Sequence, residues 1–207
     1  MKLAAKILSV LFHPIFMPLL GIFIIFNSGI YEAHLAWEVK KYTYLISSLF
    51  SILMPVSFIT MLLFLNQVQN FEMTERRERV IPLFLTTVSL FFLYFFLQRV
   101  LPIKIIQGFC FATAAISALL LIISLRFKIS MHLIALGGIT GLILAISKVF
   151  QADLFYIFML FLLISGLVAS SRYYLKAHTL TELSSGYLVG FAGSLSIILG
   201  FIQFQIS

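Results

Sequence analysis

In the stretch SRYYLKAHTLTE, residues 171 to 182, Arg172, Lys176, His178 and Glu182 crowd together in a chain that is 62% hydrophobic and only 10% charged. His178 and Glu182 stand four apart, so a helical segment would bring them into contact on one face. A carboxylate at that spacing orients an imidazole. It fixes the tautomer, leaves the far nitrogen free for attack, and stabilises the cation that appears when that nitrogen forms a bond. Arg172, six residues before His178, carries a planar guanidinium able to grip two phosphate oxygens beside the histidine. A second group, Lys128, Ser130 and His132 in KISMH, precedes another apolar run. His132 could protonate a leaving oxygen, while Ser130, Lys128 and nearby backbone N–H groups could cradle phosphate oxygens. The plainer reading makes both groups an ordinary polar boundary.

The elements that must position these residues are membrane spans. A mean hydropathy of +1.13 and 23 Phe in 207 residues exceed what a soluble core needs. A hydrocarbon core of about 30 Å takes roughly 20 apolar residues per helix. Apolar runs at 7 to 26, 42 to 65, 80 to 97, 105 to 125, 132 to 150, 154 to 170 and 183 to 205 predict an all-α polytopic transmembrane bundle of six to seven spans, with no separate soluble domain. Helices rather than barrel strands follow because the runs are continuous and lack an alternating period. The fifth run is the weakest, since only Leu133 to Ser147 is free of charge and His, and Lys148 must snorkel. Gly137, Gly138, Gly141, Gly166, Gly186, Gly190 and Gly193 concentrate in the last three runs, which predicts close helix approach in the C-terminal half.

Successive loops alternate between membrane faces, so the second, fourth and sixth share one side. These hold EMTERRERVIP (72 to 82), RFKISMH (126 to 132) and SRYYLKAHTLTE. A cluster built from all three needs no further assumption.

Over roughly residues 70 to 195 the chain resembles the type 2 phosphatidic acid phosphatase superfamily of membrane lipid phosphatases. Ser171, Arg172, five residues, His178, three residues and Glu182 are similar to its third signature, which reads Ser-Arg, five residues, His, three residues, Asp. SMH at 130 to 132 resembles its second, Pro-Ser-Gly-His, and ERRERVIP at 75 to 82 resembles its first, Lys, six residues, Arg-Pro. The differences are Glu182 in place of Asp, Ile129 and Met131 in place of Pro and Gly, and Asn70 and Glu72 where a lysine would precede Arg77 or Arg79 by seven.

The resemblance implies a family-like catalytic core in residues 67–207, with N-terminal helices in 1–66. It implies a lipid phosphomonoester or diphosphate as substrate and no metal or other cofactor. His178 would attack phosphorus to give a phosphohistidine, with Glu182 orienting it. His132 would protonate the departing lipid alcohol and then activate water. Arg172, Ser130 and Arg79 would bind phosphate oxygens, Arg79 being chosen in loop two because it abuts a span and Pro82 follows, and Lys128 would stand in for the missing lysine. The differences keep a second expectation open, a catalytically degenerate relative that binds lipid phosphate or a membrane partner. The resemblance favours a bacterial inner-membrane protein with its site facing the periplasm. The positive-inside rule points the other way. Lys2, Lys6, Arg76, Arg77, Arg79, Arg126, Lys128, Arg172 and Lys176 lie on the site's side, against Lys40, Lys41, Arg99, Lys104 and Lys148. Residues that grip phosphate are not free to report topology, and without Arg79, Lys128 and Arg172 the two sides are nearly equal.

The net charge of +7 sits in short loops and forms no continuous patch, which argues against nucleic acid and for lipid headgroups or phosphate. Cys110 lies in an apolar run and reads as a small buried hydrophobe. Lys2 and Lys6 precede a run longer than a signal peptide's, so a retained first span is expected. Within it, His13 beside Pro14 reads as a packing or kink residue, although an intramembrane histidine is a functional candidate by default. His34 is expected in water, and Trp37 and Tyr42 at the interface. Haem ligation is disfavoured because His132 and His178 fall at span boundaries.

Overall fold

A computed structural model describes residues 2–68 and 77–203. These residues are helical and contain no strand, and seven stretches of 20 to 28 residues are long and apolar enough to cross a membrane. The chain is an all-α polytopic bundle.

The first span is split into α1 (Lys2–Leu11) and α2 (Met17–Asn27) by a short turn at Pro14–Phe16. Proline causes the break, because Pro14 has no N–H to give the carbonyl of Val10 and its ring would strike that carbonyl in a continuous helix. The N–H of His13 takes the Val10 carbonyl instead, at 3.2 Å. The carbonyl of Ser9, which His13 would occupy in a regular helix, is thereby released.

The second span joins α3 (Trp37–Ser48) to α4 (Met54–Phe64) through a widened turn at Leu49–Leu53, ahead of Pro55. In that wider register, Pro55 would leave the carbonyl of Phe50 without a donor. Ser89 Oγ–H, from the third span, donates to it at 2.6 Å. Hydroxyls commonly repair the backbone in this way within apolar surroundings.

The remaining spans are α5 (Val80–Val100), α6 (Lys104–Ser124), α7 (Met131–Phe150), α8 (Phe155–Tyr174) and α9 (Leu180–Gln203). Several ends extend past the apolar runs, as at Trp37, Tyr174 and Leu180, because charged residues end a hydrophobic run without ending a helix. The fifth span, weakest by composition, is among the most buried. Its neighbours cover it, and Leu136, Leu142, Ile143 and Ile146 have no exposed surface.

The most extensive pairing is α7 with α9. A Cβ at Gly137 would strike the main chain of Tyr187, and one at Gly190 the carbonyl of Ile134. Gly141 lies as close to Phe191. Glycine is required there for close approach. Gly138 and Gly166, expected to serve the same purpose, face open space. Tyr187 and Thr140 add a hydroxyl pair across the interface at 2.9 Å. The register of these contacts, 130 to 186, 134 to 190 and 141 to 194, makes α7 and α9 parallel, so their N-termini open side by side on one face of the bundle.

Candidate active site at the paired helix N-termini

Local chain geometry delivers the site from two directions. At the end of α8, the N–H of Ala177 donates to the carbonyl of Arg172 at 3.1 Å and that of Lys176 to Tyr173 at 2.9 Å, while Lys176 takes a left-handed φ of 52°. This Schellman reversal carries His178 back towards Arg172. Thr179 then opens α9: its Oγ1 accepts the N–H of Glu182 at 3.3 Å, the first half of a capping box. In an ordinary capping box the glutamate turns back to the N-cap backbone. Here its carboxylate meets the imidazole, and Nδ1–H of His178 donates to Oε2 of Glu182 at 2.7 Å.

The second direction is the start of α7. Ser130 occupies the N-cap position and its N–H donates to the main-chain carbonyl of Glu182 at 3.3 Å. The two helix starts are therefore tied together. The first N–H groups of each helix have no intrahelical acceptor and carry the positive end of the helix dipole. The Ser130 side chain is fully buried, and its hydroxyl makes no hydrogen bond among the described residues.

His132, in the first turn of α7, is buried. Its Nε2–H donates to the released carbonyl of Ser9 at 3.0 Å, because a carbonyl can only accept. Neutral His132 therefore keeps its lone pair on Nδ1. The ring meets that of His13 edge to face, centroids 5.4 Å apart.

Cations surround these groups. Arg172, half-buried in the last turn of α8, acts electrostatically on His13, His132 and His178 alike. Arg79, next to the start of α5, is buried and opposes Glu182. Burial pulls the Arg79 pKa below its ordinary value, and the Glu182 carboxylate pulls it back up. Lys128 is exposed at the rim, within electrostatic reach of His178. Burial is the largest influence on His178 and lowers its pKa. The Glu182 hydrogen bond acts against this, and the charges of Arg172 and Lys128 add to the lowering. The net effect favours the neutral imidazole, the form in which a histidine can act as a nucleophile.

All seven residues singled out from the sequence lie around this end of the bundle: His178 and Glu182 in direct contact, Arg172, Arg79 and Lys128 around them, and His132 and Ser130 on the adjoining helix start. Of the loop-two stretch, residues 72 to 76 lie outside the described residues, as do Asn70 and Glu72 in the comparison with the first signature. Sequence reasoning gave His13 a packing or kink role and passed over Ser9. The break is at His13, and both residues also reach His132. The available signal was an intramembrane histidine next to a proline. Comparison with family models, curated proteins and solved structures finds no match for this chain.

Proposed function

We propose that the protein is a membrane-embedded phosphatase acting on a lipid phosphomonoester or diphosphate through a phosphohistidine. The observation that carries the reading is the 2.7 Å contact between His178 and Glu182, framed by Arg172 at the end of α8, Arg79 just before α5 and Lys128 just before α7. Nε2 of His178 attacks phosphorus as the bond to the lipid oxygen breaks, and His132 passes to that oxygen, through Nδ1, a proton taken from the substrate's own acid phosphate. Neutral His132 then takes a proton from water, whose oxygen displaces His178 from phosphorus. The net products are lipid alcohol and inorganic phosphate. Arg172 and Arg79, with the helix N-termini and the spare Ser130 hydroxyl, match the charge on the transferring group.

A lipid substrate is supported by a mainly apolar cleft of about 480 Å³ among α7, α8 and α9, lined by Leu133, Leu162, Ala169, Leu180 and Leu183. It also takes in Thr181, the neighbour of Glu182, so an acyl or prenyl chain lying there would carry its headgroup to the histidines. The resemblance to type 2 phosphatidic acid phosphatases supports the same chemistry, and favours a periplasm-facing site in a bacterial inner membrane.

Purified protein should release phosphate from at least one of phosphatidic acid, phosphatidylglycerophosphate and polyprenyl diphosphate in the presence of a divalent chelator, and His178→Ala should not. Folded protein that binds these lipids yet releases nothing would instead make it a catalytically degenerate lipid-phosphate binder. For orientation, Phe127→Cys and Ala36→Cys in a Cys110→Ser background should differ on intact cells. A membrane-impermeant thiol reagent should label position 127 and not position 36.

A further inference from the structure

The first span lies outside the stretch that resembles the phosphatase signatures, yet its break points into the site. Two contacts link it to His132: the Ser9 carbonyl on Nε2 at 3.0 Å and the His13 ring against the imidazole, planes 86° apart. Both follow from one local event. Pro14 breaks the helix, His13 shifts its N–H to Val10, and Ser9 is left with a carbonyl to offer. His13 Nδ1 also accepts the Ile15 N–H at 3.4 Å, so its ring is held at the break rather than swinging in lipid. A carbonyl on one ring nitrogen fixes the tautomer of the other, and a ring packed across the imidazole fixes its plane.

We propose that His13 is a positioning residue of this site: together with the Ser9 carbonyl it holds His132 in a single tautomer and orientation, so that the first span completes the proton-transfer apparatus. The inference rests on the phosphatase reading for its effect on rate, but not for its structural content. Misplacement of an acid by a fraction of a bond length reduces only the step that needs the proton.

Two variants separate the two roles of His13. His13→Asn keeps a side-chain acceptor at the turn and removes the ring, whereas His13→Phe keeps a ring and removes the acceptor. His13→Asn should lower kcat on an alkyl phosphate by about 10- to 100-fold, with a much smaller loss on p-nitrophenyl phosphate, whose leaving group needs little protonation. His13→Phe should recover most of the difference. In a His132→Ala background His13→Asn should have no further effect, the non-additivity expected of residues acting through one another. Equal losses on both substrates, or additivity with His132→Ala, would overturn the proposal.

A readout independent of turnover is the nitrogen-15 NMR spectrum of histidine-labelled protein in detergent. The His132 signals should report a proton on Nε2 in both wild type and His13→Asn, since the Ser9 carbonyl stays in place, but they should broaden or split in His13→Asn as the imidazole loses the ring that fixes its plane. A tautomer mixture already present in wild type would sink the inference even if the protein is an active phosphatase. Sharp signals in wild type that broaden or split in the variant would sustain it even if no lipid phosphate is hydrolysed, and signals unchanged by the substitution would overturn it.

Discussion

Glu182 is bound twice within one helical turn: its N–H goes to Oγ1 of Thr179 at 3.3 Å and its carboxylate to Nδ1–H of His178 at 2.7 Å. The helix start at which Thr179 caps the N–H of Glu182 is thus also the mount for the histidine. The orientation of the imidazole is set by the backbone of α9 rather than by a flexible loop.

Glu182→Gln keeps the length of the side chain but offers an amide that stabilises the wrong tautomer. Its kcat should fall by at least about 100-fold, the direction seen when an aspartate orienting a catalytic histidine becomes an amide. Glu182→Asp keeps the charge and draws the carboxylate back by about 1.5 Å, so it should retain at least tenfold more activity than the glutamine variant. Steady-state kinetics on one lipid phosphate decides both, and equal activity of Glu182→Gln and wild type would remove the dyad.

The pH dependence follows from the sign of the His178 shift. Its folded pKa lies below the ordinary value of 6.5, so, on the proposed mechanism, the acid limb of kcat/KM assigned to His178 should fall below that pH. Lys128→Ala removes a charge that contributes to the lowering and should move the limb upward. The shift should shrink with added salt because Lys128 is exposed.

Stability has the same origin. Below about pH 6.5 the unfolded chain protonates this histidine before the folded protein does, so the unfolded state binds more protons and stability falls with pH until the folded pKa is reached. Above that window His178 contributes no slope. The Tm in detergent should drop between pH 7 and pH 5, and the drop should be smaller in His178→Gln.

The α7–α9 interface can be tested by adding one methyl group at a time. Gly190→Ala places a Cβ against the Ile134 carbonyl, where no side chain can rotate away, and should cost about 1–3 kcal/mol together with activity, since the two helix N-termini share this interface. Gly138→Ala meets nothing within 4 Å and should be neutral or raise Tm slightly through helix propensity. Thermal melts of the two variants, run side by side, check the contrast.

Lys176 sits at a left-handed φ of 52° in the reversal that returns His178 to Arg172. Lys176→Gly relieves a conformation costing a side-chain-bearing residue about 1 kcal/mol and should raise Tm with activity unchanged within about twofold. A lower Tm would mean that the lysine side chain contributes more than its backbone costs.

Sequence alone determined the class of this molecule and the face on which the residues of the candidate site gather. Runs of some twenty apolar residues leave helices as the workable solution in lipid, and alternation of loops puts Arg79, His132 and His178 on one side whatever the packing. The four-residue interval between His178 and Glu182 likewise contains their contact, because it is a local property of the helix start. The tertiary structure decided what lies between elements distant in the chain. Which of the glycines serve as contacts depends on the parallel register of α7 and α9, so Gly137 and Gly190 are needed where Gly138 is not. The place of His13 in the site could not be read from an isolated His-Pro pair. Proline predicts that a carbonyl will be released one turn earlier, but only the packing of the broken first span against α7 makes His132 the group that takes it.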